Sequence, residues 1–204
     1  MDIRKHSFAI MLLTLITTVA AAQCTYKNTA FKSGEFLSYN LYYNWKFIWV
    51  KAGNASMSTV ESHYNGRKAY RASLTTRGNN RVDDLFVLRD TLLCYSSLAM
   101  EPLYYRKGAR EGSRYTVGQQ KMKMHRQKHD GKHTWKDISP DECSYDMMNI
   151  FLRARSFNPE GWKTGNVISF PIADGRKTTP ARLVYRGKTV IKADNGRKYR
   201  CLQL

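Results

Sequence analysis

A mainly β fold, a curved antiparallel sheet or incomplete β-barrel with one packed α-helix, follows from three features of the sequence. Apolar and aromatic residues alternate with a period of two over several stretches, which is the pattern of a strand with one buried face. Asn-Gly or Asp-Gly at 65–66, 130–131 and 195–196 interrupts those stretches where a hairpin would turn. One segment, 139–155, carries helical spacing and helix end signals.

The chain opens with a segment that stands apart from the fold. Arg4 and Lys5 precede an apolar run from Phe8 to about Val19, and Ala20, Ala21 and Ala22 follow before Gln23. A basic start, a short apolar run and a small-residue cleavage site make a secretory signal peptide. The run is too short for a comfortable membrane span. Cys24 raises the alternative of lipid attachment, but that chemistry wants a small residue just before the cysteine, and Gln23 is not small. The expectation is a signal peptide over 1–22 and one mainly β domain over 23–204, exported to the periplasm or the periphery of the outer membrane.

Gly34-Glu35 begins the first strand, 35–44, and its alternation runs on through Trp45, Phe47 and Trp49. The turn residues at 51–54 predict a bend, and 55–61 a second strand. Asn65-Gly66 turns the chain into 67–76. Asn80, Asp83 and Asp84 predict a helical turn over 79–87, since acids suit the positive end of a helix. Strands follow at 89–96 and, after Pro102, at 103–109. Residues 113–126 alternate again, with a bulge expected at Gly118 where the parity shifts. Asp130-Gly131 then returns the chain through 132–137.

Ser139, Pro140 and Glu142 read as a capping box with proline at the first helical position. Cys143, Met147, Ile150, Phe151 and Ala154 then share one helix face. Asn158-Pro159 ends the helix. Strands are expected at 166–172, 181–185, 188–193 and 197–204. The last stops in mid-pattern at Leu204, so further strands are expected beyond it.

The order of these features resembles a known family. Phe31, Ser33-Gly34-Glu35-Phe36-Leu37-Ser38-Tyr39, a Gly53-Asn54-Ala55 segment, an Asp146-to-Arg153 helix and paired strands around Asp194-Asn195-Gly196 carry the likeness over about 31–204. The chain resembles the bacterial family catalogued as domain of unknown function 3108. The resemblance implies an exported, largely antiparallel β envelope protein that continues past this point. It implies no catalytic or binding residue.

Function must therefore be read from the residues. The formal net charge is +18, and all but one unit lies after the signal segment. Such a balance favours anionic partners: lipid, lipopolysaccharide or glycan. A solvated basic surface is the ordinary alternative. The densest run of bases includes Arg106, Lys107, Arg110, Arg114, Lys121, Lys123 and Arg126. Fixed cations at strand spacing would make a phosphate-binding face.

Trp45 and Trp49 are the other binding candidates. The rings of 37–49 fit a buried sheet face against the helix. Those at the expected bend also fit a lipid contact or a pocket mouth, with rings beside cations.

No catalytic signature, phosphate loop or dinucleotide fingerprint is present. A hydrolase of envelope material is thus the third reading, after a binding module and a partner for another envelope protein. Export argues against nucleic acid. His125, His129 and His133 have a tempting spacing, but a turn at 130–131 sends His129 and His133 to opposite faces, so no metal or cofactor is expected. Cys24, Cys94, Cys143 and Cys201 allow three pairings that sequence does not decide. Oligomeric state is equally open.

Overall fold

The computed structural model describes residues 24–45, 48–80, 88–108, 112–117, 122–128, 130–138, 143–174 and 177–204. Eight consecutive strands form one antiparallel meander: β1 Glu35–Trp45, β2 Ile48–Tyr64, β3 Arg67–Gly78, β4 Thr91–Ser97, β5 Pro102–Gly108, β6 Gly112–Val117, β7 Met122–Gln127 and β8 His133–Ile138. Each strand pairs with its neighbours in sequence, so β1 and β8 are the two edges. The sheet is open rather than a closed barrel, because β1 and β8 do not pair.

Helix α1, Met147–Arg155, packs on β3 and β4. This defines an inner face. Opposite residues of an antiparallel pair point to the same side. One inner row therefore runs Thr59, Ala72, Cys94 and Tyr105 across β2 to β5. All four are buried, and Met57, Leu92, Met122 and Met124 extend the patch. Met148 and Leu152 from α1 close it from above.

The helix agrees with the expected segment but starts later and faces differently. The expected capping box lies outside the described residues. Asp146 is the observed cap: its carboxylate accepts from the backbone N–H of Met148 and of Asn149, each at 2.9 Å. Met147 and Phe151, expected inside, are exposed, whereas Met148, Asn149 and Leu152 are buried. The buried stripe is shifted by one residue because two layers compete for the helix. Met148 and Leu152 meet the sheet, while Ile150 meets a second hairpin.

That hairpin is β9 Val167–Asp174 with β10 Lys177–Val184. Phe170, Ile168, Ile172 and Leu183 pack with Tyr145 and Ile150. Tyr145 is stitched to β9 by Tyr145 N–H to Pro171 O at 3.0 Å and Ala173 N–H to Tyr145 O at 2.8 Å. A third hairpin, β11 Gly187–Lys192 with β12 Lys198–Gln203, brings Asp194 at its tip to Asn40 and Tyr42 of β1.

Residues 24–33 form a strap along α1. A Cys24–Cys143 disulfide fixes one end, and Thr29 hydrogen-bonds to Ser156 near the other. Of the three pairings left open, one bridge forms, and Cys94 and Cys201 are free.

Three strand assignments change. The alternating run 37–49 is not one strand: β1 ends at Trp45, which pairs with Ile48, and β2 begins at Ile48 rather than after a bend at 51–54. Residues 113–126 form two paired strands, β6 and β7, and the expected bulge at Gly118 lies outside the described residues. The helical turn expected over 79–87 falls mostly outside them as well. The Asn65-Gly66 turn is as expected, with both residues at positive φ, 48° and 77°.

Candidate functional site

The β1–β2 hairpin is longer than the sheet that carries it. β2 pairs with β3 only from Gly53↔Gly78 onward, whereas β1 and β2 stay paired out to Trp45↔Ile48. Residues 42–51 therefore project as a two-stranded arm. A register shift between Leu41 and Tyr42 leaves Ala52 as the extra residue and re-aims the arm at its base.

Pairing divides the arm between two faces, with Tyr43 opposite Val50 on one and Tyr42 opposite Lys51 and Asn44 opposite Trp49 on the other. Both faces carry exposed side chains. Trp49 is 69% exposed, Tyr43 55% and Tyr42 49%, and Val50 is exposed too. Among the described residues of the 37–49 run, Leu37 packs against the main core. The reading of this run as a single buried sheet face is thus corrected. A ribbon with solvent on both sides cannot use its rings as core. Clustered apolar exposure of this kind marks an interaction surface.

The cations lie at the same end of the sheet. Arg77 follows the last inner pairs of β3, and Lys51 lies at the arm base; both are exposed. Together with Arg89 they border two shallow clefts of about 410 and 560 Å³, the first also lined by Asp90 and Thr91, the second by Val50 and Asn79. Arg106 and Lys107 belong to the last turn-side residues of β5, and Arg126 lies on β7 next to that end.

They do not form one face. Arg106, paired with Leu93, and Lys123, paired with Asp137, are on the outer side. Lys107, paired with Leu92, and Arg126, opposite Ser113, are on the inner side beyond the reach of α1. Arg114 pairs with Arg106 on one side and His125 on the other. Arg110 and Lys121 lie outside the described residues. The described cations form a cationic sheet end with charges on both sides of it rather than one positive face. Lys123 stands apart, three residues before Arg126 on β7.

Lys51, Arg77 and Arg89 were missed in the sequence because nothing marks which strand ends share a sheet edge. The arm was missed because Lys46-Phe47 is not a recognised turn dipeptide.

Beneath α1 lies a buried polar cluster. Asn149 donates to the second Asp146 oxygen at 2.5 Å, and Ser96 donates to the Asn149 side-chain oxygen. Burial pushes the Asp146 carboxyl up to about 6, against the pull of the hydrogen bonds from Asn149 and Met148. Burial, with Asp146 nearby, also raises the Cys94 thiol well above its usual value, so it is a neutral core group. Arg153 lies 4.7 Å from the Tyr145 ring centre and 5.7 Å from that of Tyr26, and donates to the Tyr145 hydroxyl. This cluster seats the helix and faces the interior. Among the described residues no group of three or more His, Cys, Asp or Glu converges as a metal site.

Fold and surface together define a mainly β protein whose most distinctive exposed feature is an aromatic arm beside a cationic sheet end. Residues 38–204 match the family described as protein of unknown function DUF3108, and the chain belongs to that family. No curated protein and no solved structure matches the chain.

Proposed function

We propose that this chain is an exported, non-catalytic cell-envelope module that binds an anionic amphiphile, a lipid or lipopolysaccharide, through the arm and the cationic end of the sheet. The observation that carries the reading is the two-sided exposure of Tyr42, Tyr43, Trp49 and Val50 on a hairpin that outruns its sheet. Tryptophan and tyrosine gain most where an apolar zone meets a wet one. Lys51, Arg77, Arg106, Lys107 and Arg126 would meet the phosphate layer around such a contact, and each base near an anionic surface contributes about 1 kcal/mol.

The Cys24–Cys143 bridge supports an oxidising compartment and so supports export. It also occupies the thiol that lipid attachment would need.

The test is co-sedimentation with neutral, anionic and lipopolysaccharide-containing vesicles at low and high salt. The expected result is selective binding to charged vesicles that weakens with salt and falls in Trp49→Ala. Absence of binding to every vesicle would overturn the reading. The alternative, a contact with another envelope protein, is favoured by exposed Val190, Ile191 and Tyr199 on the third hairpin. One stoichiometric partner recovered by cross-linking, without vesicle binding, would select it.

A further inference from the structure

The loop between β7 and β8 contains the Asp130-Gly131 turn, and the strands on either side bring two histidines together. His125 pairs with Trp135 and Gln127 with His133, so His125, His133 and Trp135 share the outer face. Nε2 of His125 and Nδ1 of His133 lie 2.8 Å apart. The rings are within 7° of parallel, with centres 5.0 Å apart. Trp135 stacks on His125 at 4.0 Å and is 69% exposed. The three-histidine set weighed in the sequence is not assembled among the described residues, but two of its members, His125 and His133, meet. His129 lies outside the described residues.

We propose that the His125–His133 pair is a binding site for a borderline divalent transition-metal ion, Cu²⁺ ahead of Ni²⁺ and Zn²⁺. Two imidazole nitrogens, each at about 2.0–2.1 Å from an ion and at right angles, lie roughly 2.9 Å from one another. The observed spacing is that of two adjacent ligands. Imidazole suits these metals, and copper stands highest in the affinity order.

The site is carried by paired strands, a form of preorganisation, and Trp135 stacks on the His125 ring. Without an ion, one ring donates its proton to the other. To bind, the donor ring moves that proton to its other nitrogen, so both lone pairs are free and no net proton is released from the neutral pair. Each ring then turns about χ2, a broad torsion. Among the described residues no group of three or more His, Cys, Asp or Glu forms, so the pair itself is the ligand set argued for. The surrounding charge sets the strength. Lys123 opposes a dication, while Asp137 opposite it favours one. A labile site is expected rather than a structural one.

The test is titration of tag-free protein with CuCl₂, NiCl₂ and ZnCl₂ at pH 7.5, followed by calorimetry and by tryptophan fluorescence. One ion per chain is expected, with copper quenching the emission of Trp135. The double substitution of His125→Ala and His133→Ala should weaken binding at least tenfold, whereas His63→Ala should leave it unchanged. Uptake should fall on acidification, because a protonated imidazole nitrogen has no lone pair to give the ion. Both histidines lie at the surface, so unchanged thermal melting of the double variant would separate loss of ligands from loss of fold. Equal affinity in the wild type and the double variant, or no saturable uptake by the wild type, would overturn the proposal.

Discussion

Glu35 and Arg155 meet in a two-point ion pair, with both carboxylate oxygens 2.7 Å from the two terminal guanidinium nitrogens. The pair ties the start of β1 to the last turn of α1, and the Arg155 guanidinium also lies 5.7 Å from the Phe31 ring centre. It therefore locks strand, helix and strap at one corner. Both side chains are largely shielded, at 27% and 22% exposure. A bidentate, charge-assisted contact of this kind is worth more than a surface pair, though solvent still screens part of it. Arg155→Ala should lower unfolding free energy by about 1–2 kcal/mol. Arg155→Lys should fall between, since it keeps the charge and loses the fork. Urea melts of the three proteins would check this, and an alanine variant as stable as the wild type would refute it.

Asp146 makes stability depend on pH in an unusual direction. Its carboxyl is shifted from 3.8 to about 6 by burial. The folded state therefore holds a proton that the unfolded state has already lost between these values. Stability falls as pH rises through that window and is flat above it, so neutralisation favours the fold. The size is on the order of 3 kcal/mol, from about 1.4 kcal/mol per unit. Asp146→Asn should remove that slope between about pH 4 and 6. The slope is the readout rather than the absolute stability, because an amide at 146 would face the donating amide of Asn149. Identical pH profiles for the two proteins would count against the assignment.

The Cys24–Cys143 bridge closes a loop with a sequence separation of 119. A loop of that length removes unfolded-state entropy worth about 5 kcal/mol. Cys143→Ser should cost about that much, and a reductant should bring the wild type down to the variant while leaving the variant unchanged. Thermal melts with and without dithiothreitol decide it. A wild type indifferent to reductant would show that the strap is held by its other contacts.

Trp49 and Met148 separate the two readings of the aromatic run. Met148 is fully buried between α1 and the sheet, so Met148→Ala should cost about 2–5 kcal/mol. Trp49 is in the open arm, and Trp49→Ala should change stability by less than about 0.5 kcal/mol. A large loss from Trp49→Ala would return that ring to the core.

The fold class was legible because strand period and turn chemistry are local. Asn65-Gly66 needs positive φ at two successive residues, and the sequence supplies the pair that tolerates it. The arm was not legible. Trp45 pairs with Ile48, yet the alternation of the sequence runs on through both strands, so Leu37 to Trp49 looks like one strand. The helix face was misread by one step because Ile150 serves a hairpin that no local pattern announces. Likewise Lys107 and Arg126 lie near Arg106 in the chain, but strand parity sends them to the face opposite it. His125 and His133 meet because Gln127 pairs with His133, and register is a long-range property.

Gly53 is the position on which the arm turns. It pairs with Leu41 on one side and Gly78 on the other, next to the extra residue Ala52. A Cβ at 53 would lie 2.0 Å from the Arg77 carbonyl oxygen and 2.9 Å from its carbonyl carbon. Backbone cannot yield as the end of a flexible side chain would, so Gly53→Ala must push β2 and β3 apart at the arm base. The cost should be about 1–3 kcal/mol, as for other overpacked sites. The same displacement would re-aim Tyr42, Tyr43 and Trp49 relative to Lys51 and Arg77. Gly53→Ala should therefore lose vesicle affinity even at temperatures where it remains folded, whereas Arg155→Ala, remote from the arm, should lose stability and keep affinity. Urea melts paired with vesicle co-sedimentation of the two variants would test the link. Unimpaired binding by a destabilised Gly53→Ala would show that the direction of the arm does not matter to the contact.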